Sequence, residues 1–305
     1  MTDVIFPPHL RPNLLGIGAA KAGTTWLSGV LGRHPEIFVH PQKELNALVY
    51  DNIDNRLGEY TPYFETAGGK PIRCDFSVRY LSLPQASTAA ARLVPDTRVL
   101  AVLRNPIDQI QSHYWHLLRQ NFHQIEPVYP QPDLFEALDR FPELLLEPAL
   151  YGKHLSRWLG CFPRDQVLIK DYAELSRDPG LVIAEICAFL DVQPYDFGDV
   201  SGQQSAGGGR AGVAPRGGVF SRVFPLVYVT LTRGPMIWLK RTIGVRRADW
   251  IKRNLRLPQI ANSIFFRPGY PKLTPVERQR LYDRVADDIA LLATLDVLDV
   301  SAWRP

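Results

Sequence analysis

The sequence predicts an α/β protein with a P-loop-like architecture, a central parallel sheet flanked by helices. Three observations carry that expectation. Short apolar runs alternate with helix-patterned stretches from residue 13 to 192. The run RVLAVLRN (98–105) is nearly continuously apolar, as a central parallel strand is when both its faces are covered. Finally, NLLGIG (13–18) feeds a glycine-bearing turn that opens a helix, in the stretch GIGAAKAGTTWL (16–27).

The elements follow in order. NLLGIG is a short buried strand, and TTWLSGVLGRHP is a helix stopping near Gly32, ahead of His34-Pro35. EIFVH (36–40), KPIRCDFS (70–77) and RVLAVLRN are further strands, with the helical composition of LPQASTAAARLVPD between the last two. After Arg104-Asn105-Pro106 comes a long helix, IDQIQSHYWHLLRQ, in which Asn105 suits the cap and Pro106 the first position. The Pro-rich, acidic stretch from Glu126 to Pro148 reads as a looser segment. YGKHLSRWLGCF is an amphipathic helix, QVLIKDY (166–172) a strand and GLVIAEICAFLDV (180–192) a helix. TPVERQRLYDRVADDIALLATL (274–295) is a well-signalled helix, with Thr274 as cap, Pro275 at the first position and Glu277 completing a capping box. No internal repeat or domain boundary is visible. Residues 1–305 therefore read as one domain, with a core of about 13–200 and 260–303 and a loop-plus-insertion at 205–258.

Composition narrows the class. The chain has 305 residues, of which 46% are hydrophobic and 22% charged, as in ordinary globular proteins. A net charge of +4 favours an anionic ligand only weakly. Cys74, Cys161 and Cys187 are scattered and odd in number, which argues against a disulfide framework and a zinc site and fits a reducing compartment. MTDVIFPPHLRP lacks a basic region followed by an apolar core, and no apolar stretch is long enough to span a bilayer, so a cytoplasmic protein is expected.

The turn after the first strand specifies an anion. Its backbone N–H groups surround one site at the positive end of the helix, Lys21 adds a full charge, and Thr24 and Thr25 add hydroxyls. Two common templates fail by counting. Walker A needs its lysine directly after the last glycine, whereas Lys21 precedes Gly23 by two positions. The dinucleotide fingerprint matches at Gly16 and Gly18, but its third glycine is Lys21.

The order G-x-x-K-A-G-T-T-W-L closely resembles the 5′-phosphosulfate loop of sulfotransferases that use 3′-phosphoadenylyl sulfate (PAPS), most of all the heparan-sulfate and carbohydrate branch. The resemblance implies that Lys21 approaches the oxygen bridging phosphate and sulfate, while Ala22, Gly23, Thr24, Thr25 and Trp26 hold the 5′-phosphate. A second match lies downstream: a strand ending in Arg104, then a helix carrying Ser112 eight residues on. In the family these bind the 3′-phosphate, a role suited to a guanidinium fork and a hydroxyl donor. Arg210 in GGGRAG lies where sugar-acting relatives place a Lys-Gly-Arg loop; Gly208 stands at the lysine position, so only Arg210 is carried over, and a plain flexible loop is as good a reading.

The acceptor must lose a proton, and the resemblance makes Glu44 in HPQKELNAL the base; Asn46 and Leu48 depart from the family's histidine and aromatic. Asp75 in RCDFSVRYL is a second acid, able to bind acceptor, assist proton transfer or pair with Arg73 or Arg79; Phe76 and Val78 replace a lysine and a proline common in relatives. His113, His116 and His123 read as surface or packing residues, and no metal is expected.

The implied reaction is in-line transfer of a sulfuryl group from PAPS, leaving adenosine 3′,5′-bisphosphate (PAP), to a hydroxyl or amine of a small-molecule, lipid or glycan acceptor. The apolar-plus-basic segment 220–255 can lie on a membrane surface or cover a hydrophobic acceptor, and can equally be a core helix with a solvated basic face. The cations form no nucleic-acid recognition module. The alternatives are a P-loop kinase-like phosphotransferase, which needs a correctly placed lysine and an acid for Mg2+, and an inactive nucleotide-binding adaptor.

Overall fold

The computed structural model describes residues 7–119, 132–200, 213–215, 266–268 and 270–305. They fall into two compact units. The larger comprises Met1–His113, Ala137–Arg210 and Leu273–Pro305, and the smaller Tyr114–Glu136 and Ala211–Lys272.

The larger unit is built on five parallel strands: β1 (Leu14–Gly18), β2 (Ile37–Val39), β3 (Ile72–Phe76), β4 (Arg98–Leu103) and β5 (Val167–Asp171). Their order is β2-β3-β1-β4-β5. Leu14 stands opposite Cys74 on one side and Arg98 on the other, and Val99 opposite Val167. All five residues of β1 and the last five of β4 are buried, so these strands lie in the middle of the core with both faces covered. All five strands lie where the apolar runs predict them.

Eleven α-helices accompany these strands among the described residues, besides short 3-10 turns: α1 (Thr24–Leu31), α2 (Leu57–Tyr60), α3 (Pro62–Glu65), α4 (Pro84–Leu93), α5 (Pro106–Arg119), α6 (Leu134–Arg140), α7 (Pro142–Leu145), α8 (Tyr151–Cys161), α9 (Tyr172–Arg177), α10 (Pro179–Leu190) and α11 (Pro275–Thr294). Their starts have local chemical causes. The Asn105 Oδ1 atom accepts from the Ile107 N–H at 3.0 Å, capping α5. Asp171 and Asp178 cap α9 and α10 through the N–H groups of Ala173 and Leu181. Thr274 and Glu277 form the expected reciprocal box at α11.

The segment read as loose, Glu126 to Pro148, is more ordered than expected in its described part. Asp133 Oδ1 accepts from the N–H groups of Phe135 and Glu136 at 2.9 Å, and Glu136 Oε2 accepts from the Asp133 N–H at 3.0 Å. This second capping box starts α6, and Pro142 then opens α7. The high Pro and acid content was the signature of helix starts.

Helix α8 packs closely on α11. A Cβ on Gly152 would overlap the carbonyl oxygen of Asp288 and lie 2.8 Å from the Leu292 nitrogen. The Asp288 carboxylate accepts from the N–H groups of Gly152 and Lys153, both at 2.8 Å, so a residue of α11 caps α8. Trp158 is fully buried, with its indole N–H directed to the Tyr80 carbonyl at 3.3 Å. Near the C-terminus Trp303 is buried against Tyr151, ring centroids 6.0 Å apart.

In the smaller unit β6 (Val213–Pro215) pairs antiparallel with β7 (Phe266–Pro268). There Tyr114 donates to the Pro132 carbonyl at 3.0 Å, and Trp115 stacks on Tyr270 with an interplanar angle of 8°. No helix among the described residues is long and apolar enough to cross a membrane.

Candidate active site

The site forms where β1, β4 and β5 end and the chain turns into helices, the usual position for a ligand in an open parallel sheet. The turn from β1 into α1 is tight. Lys21 has φ +68° and Gly23 has φ +79°, both in the left-handed region. Gly23 is the N-cap of α1 and supplies no side-chain cap, so the first N–H groups of the helix face the turn without a competing side chain. Gly16, at the middle of β1, leaves room for the Phe76 ring, which a Cβ would overlap. Trp26 is buried and anchors α1 in the core.

Arg104, just past β4, donates from Nη1 to the Lys21 carbonyl at 3.1 Å, and its guanidinium carbon lies 5.1 Å from the centre of the Tyr172 ring. Tyr172 opens α9 directly after β5, and its ring would also meet a Cβ on Gly23 at 3.1 Å. Lys21, Arg104 and Tyr172 therefore knit three strand ends together. Ser112 is buried on α5. Beside it, burial and then the charge of Lys21 push the His113 imidazole pKa down to about 4, so this histidine is neutral at pH 7.

A second group of residues comes from the turn after β2. Lys43 Nζ donates to Thr24 Oγ1 at 2.9 Å and to Thr25 Oγ1 at 3.1 Å, and lies 3.3 Å from Glu44 Oε1. Burial pulls the Lys43 pKa below the ordinary lysine value, and the neighbouring Glu44 only partly offsets it. In the sequence Lys43 and Glu44 together match the family resemblance, but the reach of Lys43 to the paired threonines is not legible there. That contact brings together two segments 18 residues apart.

Glu44 is fixed from the opposite side. Its backbone N–H donates to the Phe76 carbonyl at 3.1 Å, and Glu44 Oε2 accepts from the Val78 N–H at 2.9 Å. Glu44 and Asn46 have φ values of +62° and +53°. With Lys21, three non-glycine residues of this region hold left-handed backbone, a conformation that costs energy and persists where the surroundings enforce it.

Asp75 lies at the end of β3 and is only 1% exposed. Tyr60 and Tyr80 each donate to Oδ2 at 2.6 Å, and the Ser77 hydroxyl donates to Oδ1 at 2.7 Å. Ser77 Oγ in turn accepts from the Asn46 N–H at 3.0 Å. Arg73, one suggested partner, is turned instead to the carbonyls of Pro8 and Arg11. Burial raises the Asp75 pKa, with the three hydroxyls opposing that rise. Asp75 thus holds the floor beneath the Glu44 turn.

Next to that turn, a groove of about 240 Å³ is lined by Gln42, Leu45, Tyr50, Arg56 and Tyr63 among others. Arg56 sits 3.8 Å above the Tyr50 ring and pairs with Glu59 at 2.7 Å. Among the described residues no His, Cys, Asp and Glu cluster could hold a metal ion. Arg210, His123 and the whole of 220–255 lie outside the described residues.

A parallel sheet, a lysine-bearing turn at a helix N-terminus and an arginine at the next strand end make an arrangement suited to an anion. Residues 11–199 match the family model for the sulfotransferase domain, and the chain belongs to that family. It is 33% identical over 206 residues to mouse bifunctional heparan sulfate N-deacetylase/N-sulfotransferase 4, covering 61% of this chain and 23% of that protein. Human bifunctional heparan sulfate N-deacetylase/N-sulfotransferase 3 is 30% identical over 202 residues, covering 60% of this chain and 23% of that protein. The chain thus spans about a quarter of the length of these relatives. A sulfotransferase structure from Alicyclobacillus acidocaldarius has the same fold, with a TM-score of 0.65, 24% identity and coverage of 97% of this chain and 99% of that one. The family and the fold support an enzyme of sulfuryl transfer.

Proposed function

We propose that this chain transfers a sulfuryl group from PAPS to a hydroxyl or amine of a glycan-like acceptor, with Glu44 as the base. The observation that carries the proposal is that Thr24, Thr25, Lys43 and Glu44 meet at the N-terminus of α1, directly after the turn that bears Lys21. The lysines and threonines, with the helix N–H groups, make a site for an anion; Glu44 is a carboxylate beside it.

PAPS, when bound, supplies an activated sulfur with a phosphate leaving group. Under this reading Lys21, Ala22, Gly23, Thr24, Thr25 and Trp26 form or brace the cradle for the 5′ end. Arg104 and Ser112 serve the 3′-phosphate, together with Arg210. Glu44 takes the acceptor's proton, and its two fixed contacts orient it. Asp75 holds that turn in place. Residues 205–258 are the candidate acceptor insertion. The groove by Tyr50, Arg56 and Tyr63 offers aromatic faces and paired charge suited to a hydroxylated acceptor. The heparan sulfate relatives support a glycan acceptor, and amine transfer is the chemistry in their names.

The test is incubation with radiolabelled PAPS and a panel of glycosaminoglycans, their N-deacetylated forms and simple lipid alcohols. Label should move to a saccharide, and Lys21→Ala should abolish it while circular dichroism stays unchanged. Transfer from ATP with Mg2+, and none from PAPS, would overturn the proposal.

A further inference from the structure

We infer that Arg157 is a positioning residue for Glu44, fixing from α8 the turn of residues 77–83 whose Val78 N–H aims the proposed base. The inference rests on the reading of Glu44 as base and extends it to the helix behind the site.

The turn is pinned at several points. The N–H groups of Ser77 and Leu81 donate to the carbonyls of Gly16 and Ile17 in β1, both at 3.0 Å. The Val78 N–H donates to Glu44 Oε2 at 2.9 Å. From α8, Trp158 Nε1 donates to the Tyr80 carbonyl at 3.3 Å and Arg157 Nη2 to the Ser82 carbonyl at 2.9 Å. His154, Arg157 and Trp158 are spaced i, i+3 and i+4, so one face of α8 presents all three.

His154 in turn fixes Arg157. The ring is fully buried. Its Nε2 atom lies 2.6 Å from the Glu147 carbonyl, which can only accept, so that nitrogen carries the proton. Its Nδ1 atom then accepts from Arg157 Nη2 at 2.8 Å. Burial lowers the His154 pKa, with the bond to the Glu147 carbonyl opposing, and so favours this neutral ring. Both protons of Nη2 are thereby used, one on the ring and one on the Ser82 carbonyl. Arg157 Nε, by contrast, is buried with no hydrogen-bond partner. Leaving a donor unsatisfied is costly. The guanidinium is therefore oriented for the turn and the ring rather than for its own full satisfaction. The consequence falls on Glu44, because a base must lie within hydrogen-bond reach of the proton it takes, and a shift of about 1 Å can cost about 100-fold in rate.

The test is a double-mutant cycle. Steady-state kinetics with radiolabelled PAPS, and whichever saccharide of the panel above takes label, compare Arg157→Met and Arg157→Lys, each alone and combined with Glu44→Gln. Arg157→Met should lower kcat about 10- to 100-fold, with PAP affinity by calorimetry and acceptor KM within about threefold. In the Glu44→Gln background the same change should cost less than about twofold, because a group acting only through the base has nothing left to aim. Arg157→Lys guards against a folding defect. One nitrogen makes both contacts, so an ammonium should recover at least about threefold of the loss, and the remainder should likewise vanish beside Glu44→Gln. A kcat for Arg157→Met within about twofold of wild type, or an equal loss in both backgrounds, overturns the role of Arg157 and leaves Glu44 as base. A Glu44→Gln enzyme with wild-type turnover, or no label on any saccharide, overturns the role together with the reading it rests on.

Discussion

Arg104 donates a hydrogen bond to the backbone carbonyl of Lys21, 83 residues earlier in the chain, and so ties the end of β4 to the turn that follows β1. The same guanidinium lies over Tyr172 at the start of α9. One planar cation therefore braces the proposed 5′ cradle and is also the residue proposed above for the 3′-phosphate. A flexible lysine cannot do both, because it lacks the fork and the flat face. Arg104→Lys should weaken PAP binding by about tenfold or more by calorimetry, with a smaller change in melting temperature. Unchanged affinity would remove Arg104 from the donor site.

Lys21 and Glu44 should separate donor chemistry from proton transfer. Lys21→Ala is expected to reduce kcat by about 10²- to 10³-fold, the usual cost of one lost charge-stabilising donor. Glu44→Gln keeps the shape and the Val78 contact but cannot take a proton; kcat should fall by about 10²- to 10⁴-fold. PAP affinity should stay within about threefold of wild type in Glu44→Gln. A fully active Glu44→Gln enzyme would exclude Glu44 as base.

The Asp75 cluster makes a stability prediction. Asp75→Ala would leave the hydroxyls of Tyr60, Tyr80 and Ser77 without their shared acceptor in a buried place, at a cost of about 2–4 kcal/mol. Urea denaturation should show that loss as a lower midpoint with an unchanged slope.

The pH dependence of that cluster has a definite sign. Burial raises the Asp75 pKa above its unfolded value, so the folded state holds this proton more tightly. The resulting stabilisation is complete below the unfolded pKa and is lost as pH rises through the folded one. Asp75→Asn has no such loss. Its stability relative to wild type should therefore improve as pH rises above about 3.9, the unfolded aspartate value, and through the raised folded pKa, measured by urea melts at several pH values. A difference that stays flat would mean that Asp75 titrates alike in both states.

Much of this was legible in the residues. The strands of the sheet announced themselves as apolar runs, and Asn105, Thr274 and Glu277 cap the helices that their spacing indicated. The turn around Lys21 was recognisable as an anion site from its own residues, whereas Glu44 was singled out only by resemblance to the family's motif. The contact of Lys43 with Thr24 and Thr25 was not legible, since it depends on how far a long side chain reaches once β2 and α1 are packed. Nor was the tyrosine pair on Asp75: Tyr60 comes from a short helix with no pattern pointing to an acid 15 positions later. The helix α6 was missed for a different reason. Its Asp133–Glu136 box was present in the sequence, but the surrounding prolines and acids were read as loop composition.

Gly152 separates architecture from catalysis. It lies in α8 where the Asp288 carbonyl of α11 approaches so closely that a methyl group would overlap it. Gly152→Ala normally favours a helix by about 1 kcal/mol through chain entropy. Here the added carbon must push the helices apart, which also pulls the Asp288 carboxylate away from the N–H groups it caps. Overpacking of this kind costs about 1–3 kcal/mol, and a lost cap about 1 kcal/mol more. Gly152→Ala should therefore lower the melting temperature by several degrees in spite of its better helix propensity. PAP affinity at low temperature should stay within about twofold, because no residue of the Lys21 turn or the Glu44 turn takes part in this contact. A variant as stable as wild type would show that α8 and α11 can slide apart without cost.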